Sequence, residues 1–198
     1  MRLSRSHLRT YIAGLALVGI LGAAPAQAAG PVRETSPAAT IHIDNFGKVD
    51  DHLYRGAQPK GEDFHALSSL GIKLVIDLAA EGDTAEESHV RAAGMNFVRI
   101  PMTTHDAPTP AVIAQFLSLV HDPANQPVYV HCIGGRHRTG VMTAVYRMTD
   151  AGWKWTQAFN EMKQYQYGAE FLHPEFKAFL ETYVPTPSPA TAAVAIPK

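Results

Sequence analysis

The sequence predicts an α/β domain in which a central, mainly parallel sheet is flanked by helices on both faces. Three observations carry that prediction. Ile72–Leu78 and Val128–His131 are short, continuously apolar runs, the pattern of strands buried on both faces. Longer amphipathic stretches lie between them, Pro110–His121 being the clearest, with Val112, Ile113, Phe116, Leu117 and Val120 on one face. Strands that alternate with helices in this way build layered α/β folds, which bind ligands at the carboxyl ends of their strands.

In chain order, Ile41–Ile43 and Leu53–Tyr54 are short extended candidates. Glu62–Leu70 is helical and stops at Gly71, and Ile72–Leu78 is the first buried strand. Thr84–Ala93 is a second helix, with Thr84 as its cap and Glu87 three residues on as capping-box partner. Met95–Ile100 is a strand ended by Pro101, and Pro110 opens the next helix at a position where its missing N–H is harmless. Val128–His131 is a strand, Arg138–Ala151 an apolar helix, and Thr156–Tyr165 and Pro174–Tyr183 two further helices. Trp153, Trp155, Phe159 and Met162 fall at packing spacings and read as core.

The ends read differently from the middle. Arg2, Arg5 and Arg9 precede an uncharged apolar run, Tyr11–Ala24, and Ala26-Gln27-Ala28 supplies a small-x-small cleavage pattern, so residues 1–28 are expected to be a secretory signal peptide. That run falls short of the ~20 residues a spanning helix needs, so no stable membrane insertion is expected after cleavage. Residues 29–40 read as a flexible leader, 41–184 as the folded domain, and 185–198 as a Pro/Ala-rich disordered tail. The expected location is periplasmic or secreted. Without residues 1–28 the chain keeps 14 basic against 18 acidic residues, a net charge of −4 with histidine neutral. That balance argues against a nucleic-acid partner, which would call for a basic stripe.

The chain holds one cysteine, Cys132, so no internal disulfide forms and the thiol is either an inert core group or a working one. Its neighbours favour work. His131-Cys132-Ile133-Gly134-Gly135-Arg136-His137-Arg138-Thr139-Gly140 joins the last strand to the apolar helix, with five residues between Cys132 and Arg138. A loop of that length wraps a tetrahedral anion, offering Ile133 to Arg138 as a nest of backbone N–H groups backed by the helix N-terminus. Arg138 supplies a planar fork for two phosphate oxygens. The same positive surroundings favour the thiolate, the nucleophilic form, in line for attack on phosphorus. Thr139 is expected to donate its hydroxyl to Cys132, and His131 to orient the loop through hydrogen bonds. His137 points either to solvent or to substrate. A structural zinc site would need a second ligand pair, and a nucleotide loop a Gly-Lys-Ser/Thr; neither is present, and no metal or cofactor is called for.

The segment HCIGGRHRTG resembles the signature loop of the cysteine-dependent protein tyrosine and dual-specificity phosphatases. LYRGAQP at Leu53–Pro59, GIKLVIDL at Gly71–Leu78 and HDPANQPVYVHC at His121–Cys132 extend the likeness to smaller bacterial, fungal and plant members. The resemblance implies a phosphatase that acts through a phosphocysteine on Cys132, with Arg138 binding phosphate. Its expected partner is a phosphorylated protein or a small phosphate ester. An inositol polyphosphate phosphatase is the alternative, and a phosphate-binding module without catalysis a more distant one. Relatives that act on inositol polyphosphates tend to carry lysine or arginine just after the cysteine, where this chain has Ile133 and Gly134.

The family also takes a proton for the leaving oxygen from an aspartate on an upstream loop. Asp106 is the one carboxylate in Met102–Pro110 and is the expected general acid; Asp83 and Glu81, in the turn after Leu78, are alternatives. Arg55 is expected to form a structural salt bridge. Tyr165 and Tyr167 read as packing residues beside a possible entrance role. His42, His52, His65, His89 and His173 show no ligand spacing and read as surface residues.

Overall fold

A computed structural model describes residues 41–186; the expected signal peptide, the leader and all but the first two residues of the expected tail lie outside the described residues. Five strands form one sheet in the order β1-β2-β5-β3-β4: β1 (Gly47–Lys48), β2 (Leu53–Ala57), β3 (Leu74–Ala79), β4 (Asn96–Met102) and β5 (Val128–Cys132). Only β1, at the edge, is antiparallel. β5 sits centrally, parallel to both β2 and β3, and the register sets Ala57 opposite Cys132 on one side and Asp77 opposite His131 on the other. Every residue of β3 and of β5 is buried, which is why both read as largely apolar runs, with Asp77 and His131 the buried polar exceptions.

The helices are α1 (Asp63–Ser69), α2 (Glu86–Ala92), α3 (Pro110–His121), α4 (His137–Asp150), α5 (Trp155–Gln164) and α6 (Pro174–Thr182). They cover both faces of the sheet. Phe64, Leu67 and Val90 of α1 and α2 pack with Val75, Phe97 and Tyr129 on one face. Phe116, Val141, Met142, Val145, Phe159, Met162, Phe176 and Leu180 of α3–α6 pack with Leu74, Ile76, Val128 and Val130 on the other. Apolar burial on this scale, about 25 cal/mol per Å² of surface removed from water, is what holds strands of only five or six residues in register. Among the described residues no helix is long and apolar enough to cross a membrane.

Two expected elements differ. Ile41–Ile43 is not a strand: the Phe46 N–H turns back to Ile43 O at 3.3 Å and Asn45 takes a positive φ, so the edge strand begins only at Gly47. Helix α2 begins at Glu86 without a side-chain cap from Thr84. The preceding turn is held instead by Asp83, whose Oδ1 accepts the Ala85 N–H at 2.8 Å and whose carbonyl accepts Arg99 Nη2 at 2.6 Å. Helix α3 begins as expected, with Thr109 capping the Val112 N–H and Pro110 in the first turn.

Candidate active site

Strand β5 ends on Cys132 and α4 starts at His137, so the loop between them lies at the carboxyl edge of the sheet. Cys132 is buried at 3% exposure. The loop's shape follows from where its carbonyls go. Ile133 O accepts the Gln58 N–H at 3.2 Å, Gly134 O accepts Asn45 Nδ2 at 2.8 Å, and Gly135 O accepts Arg55 Nη2 at 2.7 Å. In a trans peptide the N–H points opposite the carbonyl. Three successive carbonyls tied outward therefore turn the N–H groups of Gly134, Gly135 and Arg136 the other way, toward the enclosed side of the loop, which is the geometry of an anion nest. Gly135 makes the wrap possible: its φ is 66°, and a Cβ there would stand 2.4 Å from the Gly56 carbonyl carbon.

Arg138, 3% exposed, closes the loop. Its Nη1 and Nη2 donate to the two carboxylate oxygens of Glu81 at 2.7 and 2.6 Å, and Nη1 also donates to Met102 O at 3.0 Å. Burial opposes the charge of Arg138, but Glu81 and the Cys132 thiol beside it more than offset that and hold the guanidinium above its ordinary range. Arg138 in turn holds the Glu81 carboxyl below the usual carboxylate range. Glu81 is thus the fork's counter-ion, and the exposed Asp83 accepts the Ala85 N–H through one carboxylate oxygen. A buckle presents Glu81: Arg99 Nε donates to the buried Asp77 at 2.8 Å while its other arm holds Asp83 O. Gly82 passes so close that a Cβ would meet Asp77 Oδ2 at 2.2 Å.

Asp106 lies where the sequence places it, on the loop after β4. It is exposed, accepts Thr103 Oγ1 at 2.7 Å, and lines a cleft of about 500 Å³ with Met102, Thr103, Pro108 and Val112. Because Met102 O is bonded to Arg138, the start of the loop that carries Asp106 is tied to the signature loop. Ile133 and Arg136 are exposed at the rim.

Four expectations need correction. His131 does not hydrogen-bond the loop. Its Nε2 lies 2.8 Å from Glu86 Oε1, without hydrogen-bond alignment, and its Nδ1 lies 3.9 Å from Asp77 Oδ1, because β5 directs it between β3 and α2. Thr139 is fully buried with its hydroxyl unpartnered among the described residues, so the donation to Cys132 is not made in this arrangement. His137 is partly buried and tied to the protein: its Nε2 bonds Tyr167 O at 2.7 Å, and burial lowers its proton affinity. Arg55 forms no salt bridge among the described residues; it is fully buried, its guanidinium carbon stacked 3.9 Å over the Tyr165 ring.

His173, expected at the surface, is instead partly buried. It is the residue before α6, its ring 3.8 Å from that of His137, and its Nδ1 bonds Thr104 O at 2.9 Å, so it joins the loop that carries Asp106 to the signature loop. His105, His173 and Glu175 have ligand atoms within 4.8 Å of one another, as do the buried Asp77, Glu86 and His131. The first group is already engaged through Thr104 O and the second through Arg99 and Gln58. The anchors Arg55 and Gln58 both come from LYRGAQP, a sequence signal for loop support that only the fold makes readable.

A thiol sealed at a strand end, beneath a loop whose carbonyls are pulled outward and whose last residue is a buried arginine, defines a cysteine-dependent phosphatase. The model of the family described as DSP-PTPase phosphatase fused to NAD+ kinase matches residues 37–177, and the chain belongs to that DSP-PTPase family. It is 29% identical over 163 residues to the dual specificity protein phosphatase TpbA of Pseudomonas aeruginosa, covering 79% of this chain and 73% of that one. It is 28% identical over 133 residues to the inositol diphosphatase SIW14 of Saccharomyces cerevisiae, covering 64% of this chain and 47% of that protein. The crystal structure of the catalytic core of SIW14 superposes with a TM-score of 0.63 at 25% identity, covering 73% of this chain and 89% of that one.

Proposed function

We propose that this phosphatase hydrolyses phosphate monoesters of the phosphotyrosine type, on proteins or small molecules. The Cys132 thiolate attacks phosphorus, the ester P–O bond breaks, and Asp106 gives its proton to the leaving oxygen. Water then attacks the phosphocysteine, the P–S bond breaks, and the proton of that water returns to Asp106. Arg138 and the loop N–H groups carry the charge of the equatorial oxygens through both steps. The observation that carries this reading is the fork of Arg138: it already grips two oxygens of one carboxylate at 2.6 and 2.7 Å, next to the one thiol of the chain.

The rim supports a singly phosphorylated ester over an inositol polyphosphate. Ile133 is apolar, His137 is turned to Tyr167 O with its proton affinity lowered by burial, and Arg136 alone remains as an exposed cation of the loop. The relatives include both chemistries, so a direct comparison decides. Protein beginning at residue 29 should hydrolyse phosphotyrosyl peptide with a kcat/KM well above that for inositol hexakisphosphate or a diphosphoinositol. The reverse ranking overturns this substrate assignment. We also propose export, supported by the charged, apolar and small-residue segments of positions 1–28. A mature N-terminus at Ala29 in the exported fraction is the expected result, and an intact Met1 there the contrary one.

A further inference from the structure

Arg55 is 0% exposed, yet no carboxylate pairs with it among the described residues. One arm, Nη2, donates to Gly135 O at 2.7 Å; its Nε and Nη1 are buried without partners. Strand β2 brings it there, since the parallel register sets Arg55 beside Val130, two residues before the Ala57–Cys132 pair. Tyr165 closes over the guanidinium at 3.9 Å and is itself fitted against Gly47, where a Cβ would stand 2.1 Å from the tyrosine oxygen. Stacking on one ring offsets only part of the penalty of sealing a cation away from water. Burial accordingly brings its proton affinity down to about 10, with Glu161, Tyr165 and Cys132 pulling the other way. Glu161 does not neutralise it, being held by Arg147 at 2.8 Å.

The charges around Cys132 explain why such a residue persists. From α4 comes Arg138, but the turn after β3 brings the half-exposed Glu81 onto it as a solvent-screened counter-charge. From β5 comes His131, enclosed with Glu86 of α2, Asp77 of β3 and Arg99 of β4 in a network closed on itself. A thiolate and a phosphate dianion would therefore meet little net positive charge from these groups. Among the described residues, Arg55 is the one buried cation near the loop left over.

We propose that Arg55 is a positioning residue of the phosphatase site: from behind the loop it fixes the Gly135 carbonyl outward and supplies the uncompensated positive charge that balances the phosphate held on the other side. The inference rests on the phosphatase reading and adds a second arginine to it. Arg55 touches the loop and not the substrate, so its contribution is to phosphate binding in ground and transition states alike, which loads KM more than kcat.

The test compares Arg55→Met and Arg55→Lys with wild type. Measured are the affinity for inorganic phosphate by calorimetry, kcat and KM on p-nitrophenyl phosphate, and the melting temperature in phosphate-free buffer. Arg55→Met should bind phosphate about tenfold more weakly, with KM raised by a similar factor and kcat within about threefold, as one lost charge-assisted contribution implies. Its melting temperature should stay within a few degrees of wild type, because the charge removed has no carboxylate partner among the described residues, and relief of its burial offsets the lost hydrogen bond to Gly135 O. Arg55→Lys keeps the charge but loses the planar stack on Tyr165, so its phosphate affinity should fall between those of wild type and the Met variant, about threefold below wild type. A Met variant that stays folded and binds phosphate as tightly as wild type overturns the proposal, as does a Lys variant that binds as weakly as the Met variant. Cys132→Ser, run alongside, separates the two ideas: it must abolish turnover if the phosphatase reading holds, whatever Arg55 does.

Discussion

Glu81→Gln perturbs the site at a point where stability and ligand binding should move in opposite directions. Glu81 accepts two charge-assisted hydrogen bonds from Arg138, at 2.6 and 2.7 Å. Such bonds reach about 1.5–3 kcal/mol each when buried. Here only Arg138 is buried, at 3% exposure, while the Glu81 side chain is 58% exposed, so solvent screens the pair and about 1 kcal/mol remains. Glutamine keeps the shape and removes the charge, so at pH 7 and without phosphate the variant should melt about 3 °C below wild type. The pH dependence has a definite sign. The folded-state value of Glu81 is lowered, so its contribution is present above the unfolded carboxylate value and is lost as pH falls through the lowered one. The gap between the proteins should therefore close in acid, as wild type loses what the variant never had. Phosphate should act oppositely, binding the variant about threefold more tightly, because a negative neighbour has gone and the fork is free to hold the anion. Differential scanning fluorimetry across pH and phosphate concentration measures both effects. A variant that melts like wild type at pH 7 and binds phosphate more weakly refutes the reasoning and makes Glu81 a support of the bound state.

Two further substitutions test the loop and the acid. Asp106→Asn should lower kcat on alkyl phosphates by about 100-fold or more, and on p-nitrophenyl phosphate by much less, because general acid catalysis matters in proportion to the basicity of the leaving group; equal rates on both esters would move the acid elsewhere. Gly135→Ala should leave a folded protein destabilised by about 1–3 kcal/mol but nearly inactive, since the new Cβ meets the Gly56 backbone and forces the anion nest open; an alanine variant with wild-type phosphate affinity would show that the wrap does not depend on this residue.

The sheet was readable in the sequence because its central strands are buried on both faces. Continuous apolar runs at Ile72–Leu78 and Val128–His131 leave few other structures open, and Gly71, Gly94 and Pro110 mark element ends. The signature loop was readable because its chemistry is local: Cys132, two glycines and Arg138 occupy one short stretch. What surrounds that loop was not readable, because it arrives from distant positions. Glu81 lies 57 residues from Arg138 and Arg55 lies 80 from Gly135, and nothing in their own neighbourhoods announces the pairing. His173 appeared to be a surface histidine for the same reason, since its partner Thr104 is 69 residues away. Thr84 followed the local capping pattern, yet lost to a turn fixed by Arg99 from another strand. The Arg55 expectation erred in a more instructive way: a buried arginine in a fold suggests a carboxylate partner, whereas this one stands behind an anion site.

Trapping the phosphorylated form of Cys132 tests its role as nucleophile most directly. Rapid quenching of the enzyme with a labelled aryl phosphate, followed by peptide mapping, should place phosphate on the peptide that carries Cys132, the one cysteine of the chain. Asp106→Asn should change how much accumulates, and Cys132→Ser should give neither the adduct nor turnover. Hydrolysis that continues in Cys132→Ser at the wild-type rate, with no adduct on that peptide, would contradict the mechanism.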